Sequence, residues 1–306
     1  MKTFRGATAI AFLLAGLAAG GSGCAAMEQV AQVGTSVARS QGIVTEGQAK
    51  SITRSTTAIA KTLEDFTPEQ EYYIGRSGGA VIVNRYKPYP NTQANSYLNL
   101  LGQTLAQASD RPETFGGYHF LILDSDEINA FAAPGGLIFV SRGMLRCCRS
   151  EDAVAAVLAH EIAHIQLRHG IQSIEKSRQT QALTVLAAEG TKTFGKKELA
   201  DLTRTFEGSI NDITSTLINN GYSRSFEKEA DASAVRTLSR TGYNPNALVA
   251  MLREMEKQLK PGGLDFAKTH PSPGSRINDI ESLVGRASLT EPPARHERFR
   301  KAVGNI

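Results

Sequence analysis

The segment from Ser150 to Gly170 constrains this chain most, because a run of alanine, valine, leucine and isoleucine surrounds His160-Glu161-Ile162-Ala163-His164. On a helix of about 3.6 residues per turn, positions four apart share a face, so both imidazoles can converge on one metal ion while Glu161 reaches its bound water. Val154, Leu158, Ile162 and Ile165 recur at helical spacing and predict a face sunk in a core, leaving His160 and His164 together on a neighbouring face. Ser150 fits an N-cap, Glu151 and Asp152 suit the positive end of the helix dipole, and Gly170 stands where a left-handed residue would end the helix. With Glu161 directly after the first histidine, the spacing is that of a zinc peptidase rather than an accident of a buried helix.

A catalytic zinc site takes three protein ligands and keeps one position open for water. A further histidine ten residues after the first is absent, since Gly170 holds that place and His169 precedes it, which argues against a metzincin arrangement. Downstream, the residues from Tyr222 to Asp231 open a second predicted helix running to about Ser239, with Glu227 and Asp231 four apart on one face. Glu227 is the candidate third ligand. Asp231, one turn on, can accept the free ring N–H of a ligand histidine and fix its tautomer, whereas Glu229 points to a different face.

Five stretches together resemble the HtpX-like and CAAX-prenyl-protease-like zinc metallopeptidases of the gluzincin kind. They are Thr67-Pro68-Glu69-Gln70-Glu71-Tyr72-Tyr73-Ile74-Gly75, the run from Ile128 to Val140 that begins Ile-Asn129-Ala-Phe, the His160 helix, the Glu227-Lys228-Glu229-Ala230-Asp231 segment, and His270-Pro271-Ser272-Pro273-Gly274-Ser275-Arg276-Ile277. The resemblance implies a mainly helical α+β fold, a gluzincin domain over residues 66–284 with a small β-sheet beside the metal helix. It also implies endopeptidase activity, with His160, His164 and Glu227 on one zinc ion per chain and Glu161 as general base. By the same resemblance His270 and Arg276 are candidate catalytic residues, donors to the oxyanion, with Tyr222 a further choice. For His270 two other roles stay open: occupying the fourth zinc position in a latent state, or serving as a structural histidine in a proline-rich turn. Among bacterial members, the chain resembles the small envelope lipoproteins.

His119–Leu123 and Leu137–Ser141 are short apolar runs, read as strands with a turn-rich connection. If Leu137–Ser141 is an edge strand, Asn129, Gly136, Leu137 and Ile138 would form a substrate strand that binds an extended polypeptide by strand addition. The alternative is an interior strand, with Asn129 capping a turn.

Lys2 and Arg5 precede an apolar run from Ala7 to Ala19, so residues 1–23 read as a secretory signal peptide too short to span a membrane. Ser22-Gly23-Cys24 resembles a bacterial lipobox, with Gly21 where leucine is preferred; lipidation of Cys24 is expected, ordinary cleavage near Ala26 being the alternative. Ala25 is not Asp, so the expected location is the periplasmic face of the outer membrane. Residues 24–65 read as a tether or loose helices, 171–220 as a helical insertion (lid, substrate filter or scaffold), and 285–306 as a mobile tail. Helices are predicted over Tyr97–Ala108 and Asn244–Lys257, with a break at Lys260-Pro261-Gly262-Gly263.

Cys147 and Cys148 remain after lipidation of Cys24, either free, bridged to each other with strain, or linked to another chain. A formal net charge of +4 over 306 residues sets nucleic acid aside as a partner. The expected partners are unfolded or misassembled envelope proteins as substrates, and the membrane through the lipid anchor. The resulting expectation is a zinc endopeptidase in protein quality control at the outer membrane. Its rivals are a periplasmic chaperone or assembly factor for outer-membrane proteins with a latent zinc site, and a peptidase-derived binding protein.

Overall fold

The computed structural model describes residues 24–40, 42, 45–47, 50, 65–177, 221–258, 270–285 and 291–306. The signal peptide expected over 1–23, most of the insertion expected over 171–220 and the Lys260–Gly263 break lie outside the described residues. Two compact units divide the chain, Met1–Asp65 with Ile174–Ser209 in one and Phe66–Ser173 with Ile210–Ile306 in the other. In the first, helix α1 (Cys24–Ser40) leaves Val33 and Val37 exposed. Among the described residues no helix is long and apolar enough to cross a membrane.

In the second unit, helix α2 (Pro68–Tyr86) starts at a capping box: the Thr67 hydroxyl accepts from Gln70 N–H while the Gln70 side chain accepts from Thr67 N–H. Helix α3 (Thr92–Gln107) is capped by Asn91 and begins five residues before the predicted start at Tyr97. Three strands come next, β1 (His119–Leu123), β2 (Ala130–Ala133) and β3 (Leu137–Ser141), in sheet order β1-β3-β2. β1 pairs parallel with β3 and β2 antiparallel with it. The bounds of β1 and β3 are those read from the sequence; β2 lies where a turn-rich connection was expected.

This order corrects the expectation for Leu137–Ser141. β3 is the central strand, its main-chain groups taken on both sides, so Gly136, Leu137 and Ile138 offer no open edge. Asn129 is buried ahead of β2, its side-chain oxygen accepting from Ala130 N–H at 2.9 Å. The outer edge of β1 is closed as well. Asn95 and Asn99 of α3 accept from Ile122 N–H and Phe120 N–H at 2.9 and 3.1 Å, and Asn99 and Gln103 donate to the carbonyls of Phe120 and Tyr118. Among the described residues the remaining edge is β2, whose four residues are at most 3% exposed. Ser141 N–H donates to the Asn129 carbonyl, which by antiparallel alternation turns the main-chain groups of Ala130 and Ala132 away from β3.

The two sheet faces are used differently. Phe120, Ile122, Ala130, Ala132, Ile138 and Val140 share one face and join the principal core with α3 and the metal helix. Phe131 and Phe139 point the other way, towards α2, where glycines permit close approach: a Cβ added to Gly75 would stand 1.7 Å from the Pro134 carbonyl oxygen. The β2–β3 turn needs Gly135 at φ 78° and Gly136 at φ 114°.

Helix α4 (Arg142–Cys147) leads into α5 (Glu151–Gln166), the metal helix, in which every residue from Glu151 to Ile165 is buried. Val154, Leu158, Ile162 and Ile165 are at most 2% exposed, each contributing about 1.5–3 kcal/mol of apolar burial. Ser150 caps α5, its hydroxyl accepting from Ala153 N–H at 3.2 Å. The expected ending is corrected: α5 stops at Gln166, the left-handed residue is Arg168 at φ 57°, and Gly170 lies within a further helical stretch, 169–177. Arg168 is held in that conformation by the buried Glu71 carboxylate, 3.3 Å from its Nε, and by the Phe66 carbonyl, to which its Nη2 donates. Helix α6 (Arg224–Thr241) packs along α5, capped by Ser223 and ended by Gly242 at φ 74°. Helices α7 (Asn246–Gln258) and α8 (Pro273–Glu281) complete the wall beside them.

The expectation of a mobile tail is also revised. Residues Pro293–Val303 form helix α9, which packs on α3 and α5. Arg298 donates through Nε and Nη2 to the buried Glu151 carboxylate, which also accepts from Tyr97 and Tyr243, while Arg295 donates to Asp152 at 3.0 Å. The two acids at the start of α5 thus anchor a second helix, beyond their favourable place at the helix dipole.

Candidate metal centre

α5 and α6 lie against each other, and α8 brings in the third wall. Helical spacing places His160 and His164 on one face of α5, facing Glu227 from the first turn of α6. The donor atoms converge. His160 Nε2 lies 3.1 Å from His164 Nε2, and the Glu227 oxygens lie 3.4 Å from each. Four tetrahedral donors holding one ion at about 2.0–2.1 Å are about 3.3 Å apart, so the spacing fits a single small cation.

Glu161 is 1% exposed, and its Oε1 stands 3.9 Å from His270 Nε2. His270 turns its other nitrogen, Nδ1, to Glu227 Oε1 at 2.8 Å. His160, His164, Glu227 and His270 each offer one ligand atom within 4.8 Å of the others. Asp231 Oδ1 lies 3.0 Å from His160 Nδ1, the ring nitrogen turned away from the cluster, and this contact presents Nε2 to the centre.

Arg276 lies behind the candidate ligands. Its Nε donates to Asp231 Oδ2 at 2.9 Å, its Nη2 to Oδ1 at 2.5 Å, and its Nη1 is 3.4 Å from Glu227 Oε2. This bidentate engagement makes Arg276 the counter-ion of two buried carboxylates.

The charges suit a divalent cation. Glu161, Glu227 and Asp231 are three buried carboxylates against one buried guanidinium, leaving two negative charges when the histidines are neutral. Glu161 Oε2 and Glu227 Oε2 are buried without a hydrogen-bond partner, an arrangement a bound ion would satisfy. Burial opposes charge on His160, yet Asp231 and Glu227 outweigh it and hold its pKa up at about 9; at His164 burial wins and holds it well below the usual value. Burial pushes the Glu161 carboxyl up. Burial also works against charge on Glu227 and Asp231, but His270 and Arg276 hold Glu227 well below the carboxylate range, and Arg276 with His160 brings Asp231 to about 2. The pocket thus favours positive charge at the point where the donors meet.

Two contacts had no signal in spacing. Tyr222, on the turn before α6, stacks on the His164 ring at 4.2 Å between centroids and donates from its hydroxyl to the Ala132 carbonyl of β2 at 3.3 Å. It joins β2 to a candidate ligand histidine. His169 is fully buried, with Nδ1 2.9 Å from His164 Nδ1. A lone histidine after an HExxH motif carries no periodicity to mark it. Cys147 and Cys148 are free and buried, away from the cluster.

Comparison with known proteins agrees with this geometry. The family model for peptidase family M48 matches residues 92–284, which hold His160, His164, Glu227, His270 and Arg276. The beta-barrel assembly-enhancing protease of Escherichia coli (strain K12) is 29% identical over 223 residues, covering 71% of this chain and 43% of that protein. The mitochondrial metalloendopeptidase OMA1 of Schizosaccharomyces pombe is 34% identical over 167 residues, covering 53% of this chain and 45% of that protein. The corresponding Yersinia pestis beta-barrel assembly-enhancing protease is 30% identical over 204 residues, 64% of this chain and 39% of that one. The chain therefore spans less than half the length of these relatives. With HExxH on a buried helix, an acid on the helix packed beside it, and a family match over residues 92–284, the chain belongs to peptidase family M48.

Proposed function

We propose that this protein is a zinc-dependent endopeptidase in which His160, His164 and Glu227 hold the ion and Glu161 is the general base. The observation that carries the reading is the convergence of two Nε2 atoms and a carboxylate at 3.1 to 3.4 Å, with Glu161 buried beside them. Zinc, when bound, acidifies a water molecule and polarises a carbonyl. Glu161 takes the proton from that water and delivers it to the departing amine. Burial has already raised its proton affinity, which suits the exchange. Asp231 holds His160 in the tautomer that presents Nε2, and Arg276 keeps Asp231 and Glu227 ionised.

The substrate strand reading moves from β3 to β2. An extended polypeptide pairs with the outward main-chain groups of Ala130 and Ala132, displacing the Asn129 side-chain oxygen from Ala130 N–H and the Tyr222 hydroxyl from the Ala132 carbonyl. The released Tyr222 hydroxyl, whose ring stacks on His164, and His270 within the cluster are then the candidate donors to a developing oxyanion. Because main-chain pairing ignores side-chain identity, this edge suits substrates of varied sequence.

The substrates are envelope proteins, the site of action the periplasmic face of the outer membrane, and Cys24 the lipidated anchor. Support comes from the Ser22-Gly23-Cys24 pattern and from relatives named for β-barrel assembly. Cleavage of an unfolded reporter such as casein is the test, with wild type, Glu161→Gln and chelated protein side by side. Turnover in wild type alone is the expected result. Equal cleavage in all three refutes the enzyme, and a Glu161→Gln protein that still supports outer-membrane protein assembly in cells favours the chaperone instead.

A further inference from the structure

The outer nitrogens of the two ligand histidines are served differently. His160 Nδ1 meets a carboxylate, Asp231, whereas His164 Nδ1 meets another imidazole, His169 Nδ1, at 2.9 Å. If His164 binds a metal through Nε2, its Nδ1 carries the ring proton, and His169 Nδ1 must then present its lone pair. That places the His169 proton on Nε2, which lies 3.5 Å from the Glu229 carboxylate. His169 is itself fixed: it is fully buried and stacks on Phe226 at 4.4 Å between centroids with 9° between planes. Its position arises from the end of α5. The left-handed Arg168, pinned by Glu71 and the Phe66 carbonyl, turns the chain so that residue 169 folds back under His164.

We infer that His169 is a positioning residue for the metal centre: it accepts the His164 Nδ1 proton and so locks the ring with Nε2 towards the ion, the part that Asp231 plays for His160. The Glu229 carboxylate, 3.5 Å from His169 Nε2 and beyond hydrogen-bonding geometry, supplies negative charge on the side where that proton sits. The inference rests on the reading of His164 as a ligand. It assigns a function to a histidine outside the HExxH motif and to a carboxylate that helical spacing turns away from the cluster.

Two substitutions separate the hydrogen bond from the packing. His169→Asn sets an amide oxygen near the place of Nδ1 and keeps the acceptor; His169→Leu fills similar space without one. Zinc affinity is measured by competition with a chromophoric chelator, and thermal unfolding in EDTA reports whether each variant folds. His169→Leu is expected to bind zinc about 10–100-fold more weakly, as partners of ligand histidines do elsewhere, while His169→Asn stays close to wild type. In the cobalt-substituted protein, the visible absorption bands should shift for His169→Leu and not for His169→Asn. Wild-type affinity in the folded leucine variant, or an equal loss in both variants, overturns the role given to His169. A wild-type protein that binds no zinc overturns the metal centre itself, and this inference with it.

Discussion

Replacing Arg276 by methionine keeps most of the side-chain volume and removes the charge. In the folded protein the guanidinium is 4% exposed, donates twice to Asp231, and approaches Glu227 Oε2 to 3.4 Å. Without it two carboxylates, 1% and 2% exposed, keep their desolvation cost and lose their cation. Breaking a buried ion pair by removing one partner costs about 3–5 kcal/mol, which for a domain of this size is a fall in Tm of about 6–20 °C. A divalent ion supplies charge to Glu227 from the other side, so the loss is greatest in EDTA and smaller with zinc present. Calorimetry of both proteins, with and without zinc, measures the difference. A variant that keeps its metal-free Tm within about 2 °C while losing turnover would refute the reasoning, because it would make Arg276 a donor to the reacting substrate and not a counter-ion.

Gly75→Ala sets a methyl 1.7 Å from the Pro134 carbonyl oxygen, so α2 must lift from β2; an unfolding titration should show a loss of at least about 1–3 kcal/mol. Glu151→Gln weakens the bonds from Tyr97, Tyr243 and Arg298 at the head of α5. Because Arg298 is 52% exposed and rehydrates, the loss should be about 1–3 kcal/mol. Burial holds the Cys147 thiol up at about 11 and Cys148 higher still. At pH 8 the thiolate is then scarce, so iodoacetamide should label the native pair on the order of a hundredfold more slowly than the denatured chain. Equal rates in both states would show that these thiols are exposed.

The parts of the fold legible in the sequence were those written in one periodicity. α5 announced itself through Val154, Leu158, Ile162 and Ile165, and the site through two spacings of four, His160 to His164 and Glu227 to Asp231. β1 and β3 were readable as β-branched and aromatic runs. β2 was not, because Ala130, Ala132 and Ala133 have weak strand preference and owe their extended form to pairing with β3. Which strand is central is a tertiary fact, decided by β1 pairing in parallel with β3 and by the α3 asparagines that cap the outer side of β1. α9 read as a tail because its sequence is rich in arginine with little apolar face; what holds it are Glu151 and Asp152, acids that locally needed no explanation beyond the helix dipole. His169 belongs to the same class: only the left-handed turn at Arg168 brings it under His164.

The two halves of the centre have unequal tolerance to evolutionary drift. In the sequence Glu227 follows His164 by 63 positions, and the closure entropy of a connection rises only slowly with its length, by about 0.6 kcal/mol per doubling. One residue added between His160 and His164, or between the Ser223 cap and Glu227, rotates the remainder of that helix by about 100° and takes a donor off the ion. Relatives can therefore diverge freely in the length of the intervening stretch, while the two short anchors must keep their letter count.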